Sequence, residues 1–302
     1  MNEIIIITGC TAVGKSRIAD KIASKNNGVV INADSLQVYK ECPILSAQPK
    51  KILDNHKLYS VINGDQSMSI GSWLELIEKE LDTAIQEKKT PIITGGTAMY
   101  IRGLVNGIAK IPEIPSEILK EIEDQHEKHG LDFIKNKLIE LDCEIGNKLQ
   151  DKQRIIRALS VITHTGKSVK EFYDDKNNYL DILKKISNKS NIKIKKILLT
   201  EEKETLIKNC YNRLIDMLQN GAIEEVEQLI SFNYNQKSTI FKTIGVEQII
   251  KYINREISYK KMTEDIMIRN MQYIKKQNTW FNNKFKDFEV IKMSEANKLN
   301  QL

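Results

Sequence analysis

The chain opens on Ile4-Ile5-Ile6-Ile7-Thr8, a β-branched run with no polar interruption. Such a run predicts a strand buried on both faces. Arg17-Ile18-Ala19-Asp20-Lys21-Ile22-Ala23 then spaces its apolar residues as a helix does. Gly28-Val29-Val30-Ile31-Asn32-Ala33 reads as a second buried strand, and Pro91-Ile92-Ile93-Thr94 as a third. Between these two, Ser72-Trp73-Leu74-Glu75 reads as a capping box. The helix it opens carries Leu74, Ile77, Leu81 and Ile85 on one face. Strands alternating with helices predict an α/β core built on a parallel sheet.

From about Lys110 the pattern changes. Pro112 and Pro115 punctuate the chain, and helical segments run without intervening strands to about Lys185. The sharpest of them is Asp151-Lys152-Gln153-Arg154-Ile155-Ile156-Arg157-Ala158-Leu159. Ile155, Ile156 and Leu159 form its apolar stripe, while Arg154 and Arg157 lie three apart on a neighbouring face. Residues 177–190 are polar and read as a loop, and Ile192 to Thr200 resumes the strand pattern. Four helices are expected after it: Glu204–Asn220 stopping at Gly221, Ala222–Ser231, Val246–Asn254 and Glu264–Phe281. The last interleaves Arg269, Lys275 and Lys276 with Tyr273, Trp280 and Phe281. That mixture suits stacking on nucleic acid, or else aromatics in a core with solvated lysines beside them. The expected organisation is a core of residues 1–110 and 191–302, interrupted by a helical insertion over 111–190.

Composition excludes several classes. No apolar run approaches the roughly 20 residues that span a bilayer. The start, Met1-Asn2-Glu3, lacks the basic region of a signal peptide, so a cytoplasmic protein is expected. Cys10, Cys42, Cys143 and Cys210 are scattered, which suits reduced thiols and argues against a zinc site or a disulfide scaffold. The net charge is +6, yet residues 151–199 hold twelve Lys and Arg against five Asp and Glu. A local basic excess is the footprint of a polyanionic partner, or simply a lysine-rich surface.

The candidate chemistry centres on Gly9-Cys10-Thr11-Ala12-Val13-Gly14-Lys15-Ser16. It fits the phosphate-binding P-loop, G-x-x-x-x-G-K-[ST], between a strand and a helix. Backbone N–H groups and the helix N-terminus would face phosphate oxygens, Lys15 would add a charge, and the Ser16 hydroxyl would ligate Mg²⁺. The fold is thus read as α/β, with a P-loop NTPase-like core, a helical insertion and a helical C-terminal region. Asp34 directly follows the second strand, where α/β sheets hold ligands, although a turn or cap carboxylate is equally at home there. Gly95-Gly96-Thr97 follows the third strand and makes another anion-friendly turn, with Thr97 offering a hydroxyl. No Walker-B aspartate ends that strand. A carboxylate at Asp34, across the crevice from the phosphate site, suits a general base for an acceptor and favours group transfer over nucleotide hydrolysis.

The segments GCTAVGKS, DSLQVY, GGTAMY, DKQRIIRAL and KKQNTWF, in this order, resemble the tRNA dimethylallyltransferase (tRNA isopentenyltransferase) family. The likeness runs from Gly9 to about Phe281. It implies transfer of a dimethylallyl group from dimethylallyl diphosphate to N6 of adenosine 37 of tRNA, by a monomer. Asp34 would be the base, and Lys15, Thr97 and Arg213 would act on the diphosphate held by residues 9–16, with Mg²⁺. The resemblance also implies tRNA contacts from Asp34, Ser35, Leu36, Gln37 and Thr97. The insertion and the C-terminal region would hold the anticodon stem-loop, through Gln153, Arg154, Ile155, Ile156 and Arg157. Departures from the family pattern are Cys10 for a proline, Gln48 for a lysine, Leu119 for an arginine, and Lys276 and Asn282 for arginines. Two rivals remain: an ATP-dependent small-molecule kinase, which needs an adenine pocket and an arginine lid, and an RNA-binding protein with an idle P-loop.

Overall fold

The computed structural model describes residues 3–175, 179–190 and 192–301. Met1 and Asn2, and Asn177 and Asn178 of the expected polar loop, lie outside the described residues. The chain divides into two compact units, residues 1–106 with 182–302, and residues 107–181.

In chain order the first unit begins with β1 (Glu3–Gly9), α1 (Lys15–Lys25), β2 (Gly28–Asn32), β3 (His56–Lys57), α2 (Ile70–Gln86), β4 (Thr90–Gly95) and α3 (Ala98–Asn106). The second unit contains β5 (Ile108–Ala109), α4 (Ser116–His129), α5 (Leu131–Leu141), α6 (Cys143–Lys148), α7 (Lys152–Thr165), α8 (Val169–Asp174) and β6 (Tyr179–Leu180). The first resumes with α9 (Ile182–Ser190), β7 (Lys193–Thr200), α10 (Lys203–Gln219), α11 (Ala222–Ser231), α12 (Val246–Ile253), α13 (Tyr259–Lys284) and β8 (Glu289–Lys292).

The sheet of the first unit runs β3-β2-β4-β1-β7-β8, and each neighbouring pair is parallel. Ile4 to Ile7 are fully buried, and every residue of β2 and β4 is buried. Helices cover both faces of a parallel sheet, so its central strands are apolar without alternation. A second core joins Val38, Tyr39, Cys42 and Leu45, from the loop after β2, to Leu214, Val226, Ile249 and Ile266 of α10 to α13. The chain just past Asp34 is therefore packed down by the C-terminal helices.

Several expectations shift. The cap of α2 is Ser69, whose Oγ accepts from the Ser72 backbone N–H at 3.0 Å, so the Ser72–Glu75 box lies within the first turns of the helix. Ser69 is extended and stands one turn earlier, which lets it satisfy the orphan amide first. α13 starts five residues earlier than the apolar spacing indicates, because Ser258 caps it by accepting from Lys261 N. Residues 182–190 are the helix α9, not a loop, and group with the sheet unit. β3, β8 and the antiparallel β5–β6 pair have two to four residues each, too short for a periodic signal.

In the second unit α4 to α8 enclose a core of their own, with Ile134, Ile155 and Val161 fully buried. The basic excess of residues 151–199 does not extend to this unit as a whole. Residues 107–181 hold twelve Lys and Arg but fifteen Asp and Glu, a net of −3. Half of the lysine-rich stretch belongs to α9 and β7, where Lys185, Lys195 and Lys196 pair with Glu78, Glu3 and Asp287. Among the described residues no helix is long and apolar enough to cross a membrane.

Candidate active site

Because β2, β4 and β1 are neighbours in that order, their C-terminal ends bring three turns side by side. These are the Asp34 turn, the Gly95–Thr97 turn and the phosphate loop, at the crevice where α/β sheets hold ligands. Glycine is required at Gly95: a side chain there would run into the Ala33 backbone. In the phosphate loop Ala12 takes a left-handed conformation at φ 61°, uncommon for a residue with a Cβ. Gly14, at φ 97°, turns the chain into α1, whose first amides have no intrahelical acceptor and are available to an anion.

Neighbouring helices hold this loop. The Thr11 backbone N–H donates to Gln277 Oε1 at 2.8 Å, and Gln277 Nε2 donates to the Gly96 carbonyl at 2.9 Å. One buried amide of α13 thus ties the phosphate loop to the turn after β4. From α10, Arg213 Nη2 donates to Thr11 Oγ1 at 2.9 Å and Asn209 Nδ2 to the Ala12 carbonyl at 3.1 Å. Lys15 Nζ donates to the Gly9 and Cys10 carbonyls at 2.9 and 2.8 Å. Desolvation of that ammonium lowers its pKa to about 8, against the opposing pull of the Asp34 carboxylate.

Asp34 sits in a turn fixed by Asn32. The Asn32 side chain accepts from Asp34 N at 2.8 Å and donates to the Asp34 and Leu58 carbonyls, both at 3.0 Å. Asp34 Oδ1 accepts from Leu36 N at 3.0 Å, which orients the carboxylate. The place where a Cβ on Gly96 would stand lies 3.5 Å from Asp34 Oδ2 and 3.6 Å from Lys15 Nζ. A carboxylate and an ammonium therefore face one space over Gly96. That space belongs to a cavity of about 310 Å³ lined by Lys15, Asp34, Gln37, Arg213, Tyr273 and Gln277, among others. Burial pushes the Tyr273 phenol well above its ordinary pKa, with Asp34 adding to the shift, so it stays neutral. An adjoining cavity of about 440 Å³, walled by Pro43, Ile44, Pro49 and Met217, shares Ala47 and Arg213 with the first.

Other expected site residues also make contacts within the protein. The Thr97 hydroxyl accepts from Ser35 N at 2.9 Å and donates to Ser35 Oγ at 3.2 Å. It staples the Asp34 turn to the turn after β4, where the sequence suggested a donor to the anion. Gln37 Nε2 donates to the Ser46 and Ala47 carbonyls, both at 2.9 Å. Cys10 does not add a thiol to the phosphate site: its Sγ donates to Asn278 Oδ1 of α13 at 2.9 Å, and burial raises its pKa to about 11. Ser16 is exposed at the start of α1, and Leu36 is half-buried against the C-terminal core. Val13 is buried.

In the second unit Asp151 caps α7, accepting from Arg154 N at 3.1 Å. Gln153, Arg154 and Arg157 are exposed, and among the described residues neither guanidinium has an ion-pair partner. Ile155 and Ile156 are buried in the core of the unit, so their side chains hold the helix and are withdrawn from solvent. Leu119 packs on the same core. Gln48 is buried and bridges, donating to the Tyr39 carbonyl at 2.8 Å and accepting from Ser60 Oγ at 2.7 Å. Lys276 and Asn282 are exposed on α13.

The oxygen donors suit a hard cation. Ser16 and Asp34 line the cavity, and so does Thr94, whose buried Oγ1 has no hydrogen-bond partner. The described residues contain no cluster of three His, Cys, Asp or Glu. A cation here would thus take few protein ligands and rest on phosphate oxygens, the habit of Mg²⁺.

The sequence assigned no site role to Asn32, Asn209 or Gln277, and placed Tyr273 only among aromatics suited to nucleic acid or to a core. For Gln277 the signal was present: it stands on the buried stripe of α13 with Ile266, Ile274 and Phe281. A polar residue on an apolar stripe asks for a partner.

A family model described as IPP transferase matches residues 37–284. A tRNA dimethylallyltransferase of Wolbachia pipientis is 36% identical over 293 residues, covering 96% of this chain and 95% of its own. One of Ehrlichia canis is 38% identical over 291 residues, covering 94% and 93%. Among solved structures, a tRNA isopentenylpyrophosphate transferase of Staphylococcus epidermidis is similar at TM-score 0.65 and 26% identity, covering 100% of this chain and 97% of that one. A eukaryotic dimethylallyltransferase acting on tRNA shares the fold at TM-score 0.81 and 24% identity, covering 97% and 74%.

Proposed function

This chain belongs to the IPP transferase family, and on that premise we propose that it transfers a dimethylallyl group from dimethylallyl diphosphate to N6 of adenosine 37 in tRNA. The observation that carries the reading is the space over Gly96, with Asp34 Oδ2 on one side and Lys15 Nζ on the other. The reaction forms an N6–C1 bond, breaks the C1–O bond to diphosphate and releases one proton from N6. Asp34 takes that proton, which makes the weakly nucleophilic amine competent as the new bond forms. Lys15, Arg213 and the first amides of α1 stabilise the departing diphosphate as its charge grows. Ser16, with Asp34 and Thr94 lining the same cavity, would hold a Mg²⁺, which would supply positive charge to the departing diphosphate. The five-carbon tail suits the apolar wall at Ile44, Pro49 and Met217. Tyr273 and Gln37 border the acceptor side. To reach Asp34 the base must leave its stack.

Exposed Gln153, Arg154 and Arg157 on α7 hold the tRNA backbone by local contacts, since the unit as a whole is net negative. The enzyme acts as a cytoplasmic monomer. The kinase reading finds no support: the relatives carry the prenyl-transfer name. Titration of the protein with dimethylallyl diphosphate, alongside an ATP-turnover assay with tRNA present, separates the two. Saturable binding of the prenyl donor without ATP turnover is expected, and the reverse pattern would sink the proposal.

A further inference from the structure

Glu225 is a buried carboxylate outside the cavity, in the first turn of α11. Its Oε2 accepts from Ile44 N at 2.6 Å, and its Oε1 accepts from Leu45 N at 2.9 Å and from Cys42 Sγ at 3.4 Å. Among the described residues it has no cationic partner, so backbone and thiol donors alone satisfy it. A buried charge is costly and persists only where such donors compensate it. Those donors come from one turn. Two residues on, the carbonyls of Ser46 and Ala47 receive the Gln37 side-chain amide. Gln37, Ser46 and Ala47 all line the cavity that holds Asp34 and Lys15. The carboxylate thus fixes residues 42–47, and they fix Gln37.

We propose that Glu225 is a positioning residue for the transfer reaction, setting the wall of the cavity formed by Gln37, Ser46 and Ala47. The inference rests on the prenyl-transfer reading for its kinetic consequence. Both hydrogens of the Gln37 amide nitrogen are committed to carbonyls, so its free acceptor is Oε1. An acceptor on this wall fits an amino-bearing base edge such as that of adenine. If the turn relaxes, that acceptor and the base it meets shift together. Misplacement by an ångström at a reacting pair costs up to about 100-fold in rate.

Glu225→Gln is the informative variant. It keeps shape and volume but replaces one acceptor oxygen by an NH₂, setting a donor against a backbone N–H. Glu225→Asp keeps the charge on a shorter arm. The expected result for Glu225→Gln is a fall in kcat of about 10- to 100-fold with Kd for tRNA within about twofold, while KM for dimethylallyl diphosphate rises, since Ile44 of the same turn walls the cavity assigned to the donor's tail. Glu225→Asp should recover part of the loss. Rates are normalised to the donor-binding fraction and taken below the melting transition, so that unfolded protein is not counted. A kcat within twofold of the parent, or a loss that disappears on normalisation, overturns the proposal. Hydrogen–deuterium exchange gives a readout independent of turnover. Glu225→Gln should speed exchange at least tenfold in peptides over residues 42–48 and leave residues 9–16 unchanged. Unaltered exchange over 42–48 also refutes the proposal. A parent enzyme that makes no prenylated product counts against the transfer reading instead, and the exchange result still decides whether Glu225 holds this wall.

Discussion

Raising the pH through about 8 should disable the donor side of the site. The Lys15 ammonium is desolvated beside the Gly9 and Cys10 carbonyls, and its pKa falls from 10.5 to about 8. At pH 7 about nine-tenths of the free enzyme carries the charge, and at pH 9 about one-tenth does. The dependence of kcat/KM on pH reports groups of the free enzyme. At saturating tRNA, kcat/KM for dimethylallyl diphosphate should therefore fall about tenfold between pH 7 and pH 9. Stability moves the other way. The folded pKa lies below the unfolded one, so the cost of burying this charge is fully present below pH 8 and is relieved as pH rises toward 10.5. A falling rate with an unchanged or rising melting temperature separates titration of Lys15 from alkaline unfolding. Asp34 supports the charge on Lys15, so Asp34→Asn should move the break to lower pH. Lys15→Ala should lower the rate and remove the break. The reasoning fails if kcat/KM is flat from pH 7 to 9, or if the break survives in Lys15→Ala.

Asp34→Asn should cut kcat by about two to four powers of ten while leaving tRNA affinity within twofold, read by single turnover and filter binding. Near-parental turnover would remove Asp34 from proton transfer. Gln277→Leu leaves the Thr11 N–H and the Gly96 carbonyl without partners, and should cost about 1–3 kcal/mol in chemical denaturation while raising the donor KM. No change in either would mean that the amide bridge contributes nothing. Replacing Arg154 and Arg157 together by alanine should flatten the log–log salt dependence of tRNA binding by about one to two units. It should leave the melting temperature unmoved, since neither guanidinium has an ion pair among the described residues. An unchanged slope with a lowered melting temperature would assign them to the fold.

What could be read from sequence here is what short-range physics encodes. Ile4–Ile7 and Gly28–Ile31 announce central strands because a parallel sheet buries both faces. Gly9 and Gly14–Ser16 announce a phosphate loop because the turn needs those residues at that spacing. Asp34 was legible by its place just past a strand. What escaped is tertiary. Nothing local says that Gln277 crosses to Thr11 from 266 residues away, or that Glu225 answers amides at positions 44 and 45. Thr97 was legible as a hydroxyl beside the site but not as a partner of Ser35, which depends on β2 lying next to β4. The basic stretch was misleading because a count along the chain ignores the boundary at Asp181, where the lysines pass from one unit to the other. Pairing of β8 with β7 was invisible, since four residues with one buried side chain show no period.

The reaction proposed for this cavity joins a five-carbon group to adenine nitrogen at the expense of a diphosphate. Mass spectrometry of tRNA nucleosides, after incubation with the protein, Mg²⁺ and dimethylallyl diphosphate, tests it most directly. Adenosine enlarged by one C₅H₈ unit is expected at a single anticodon-loop position, formed by the parent and lost by powers of ten in Asp34→Asn. Unmodified adenosine throughout, from protein that binds both tRNA and the donor, would contradict it.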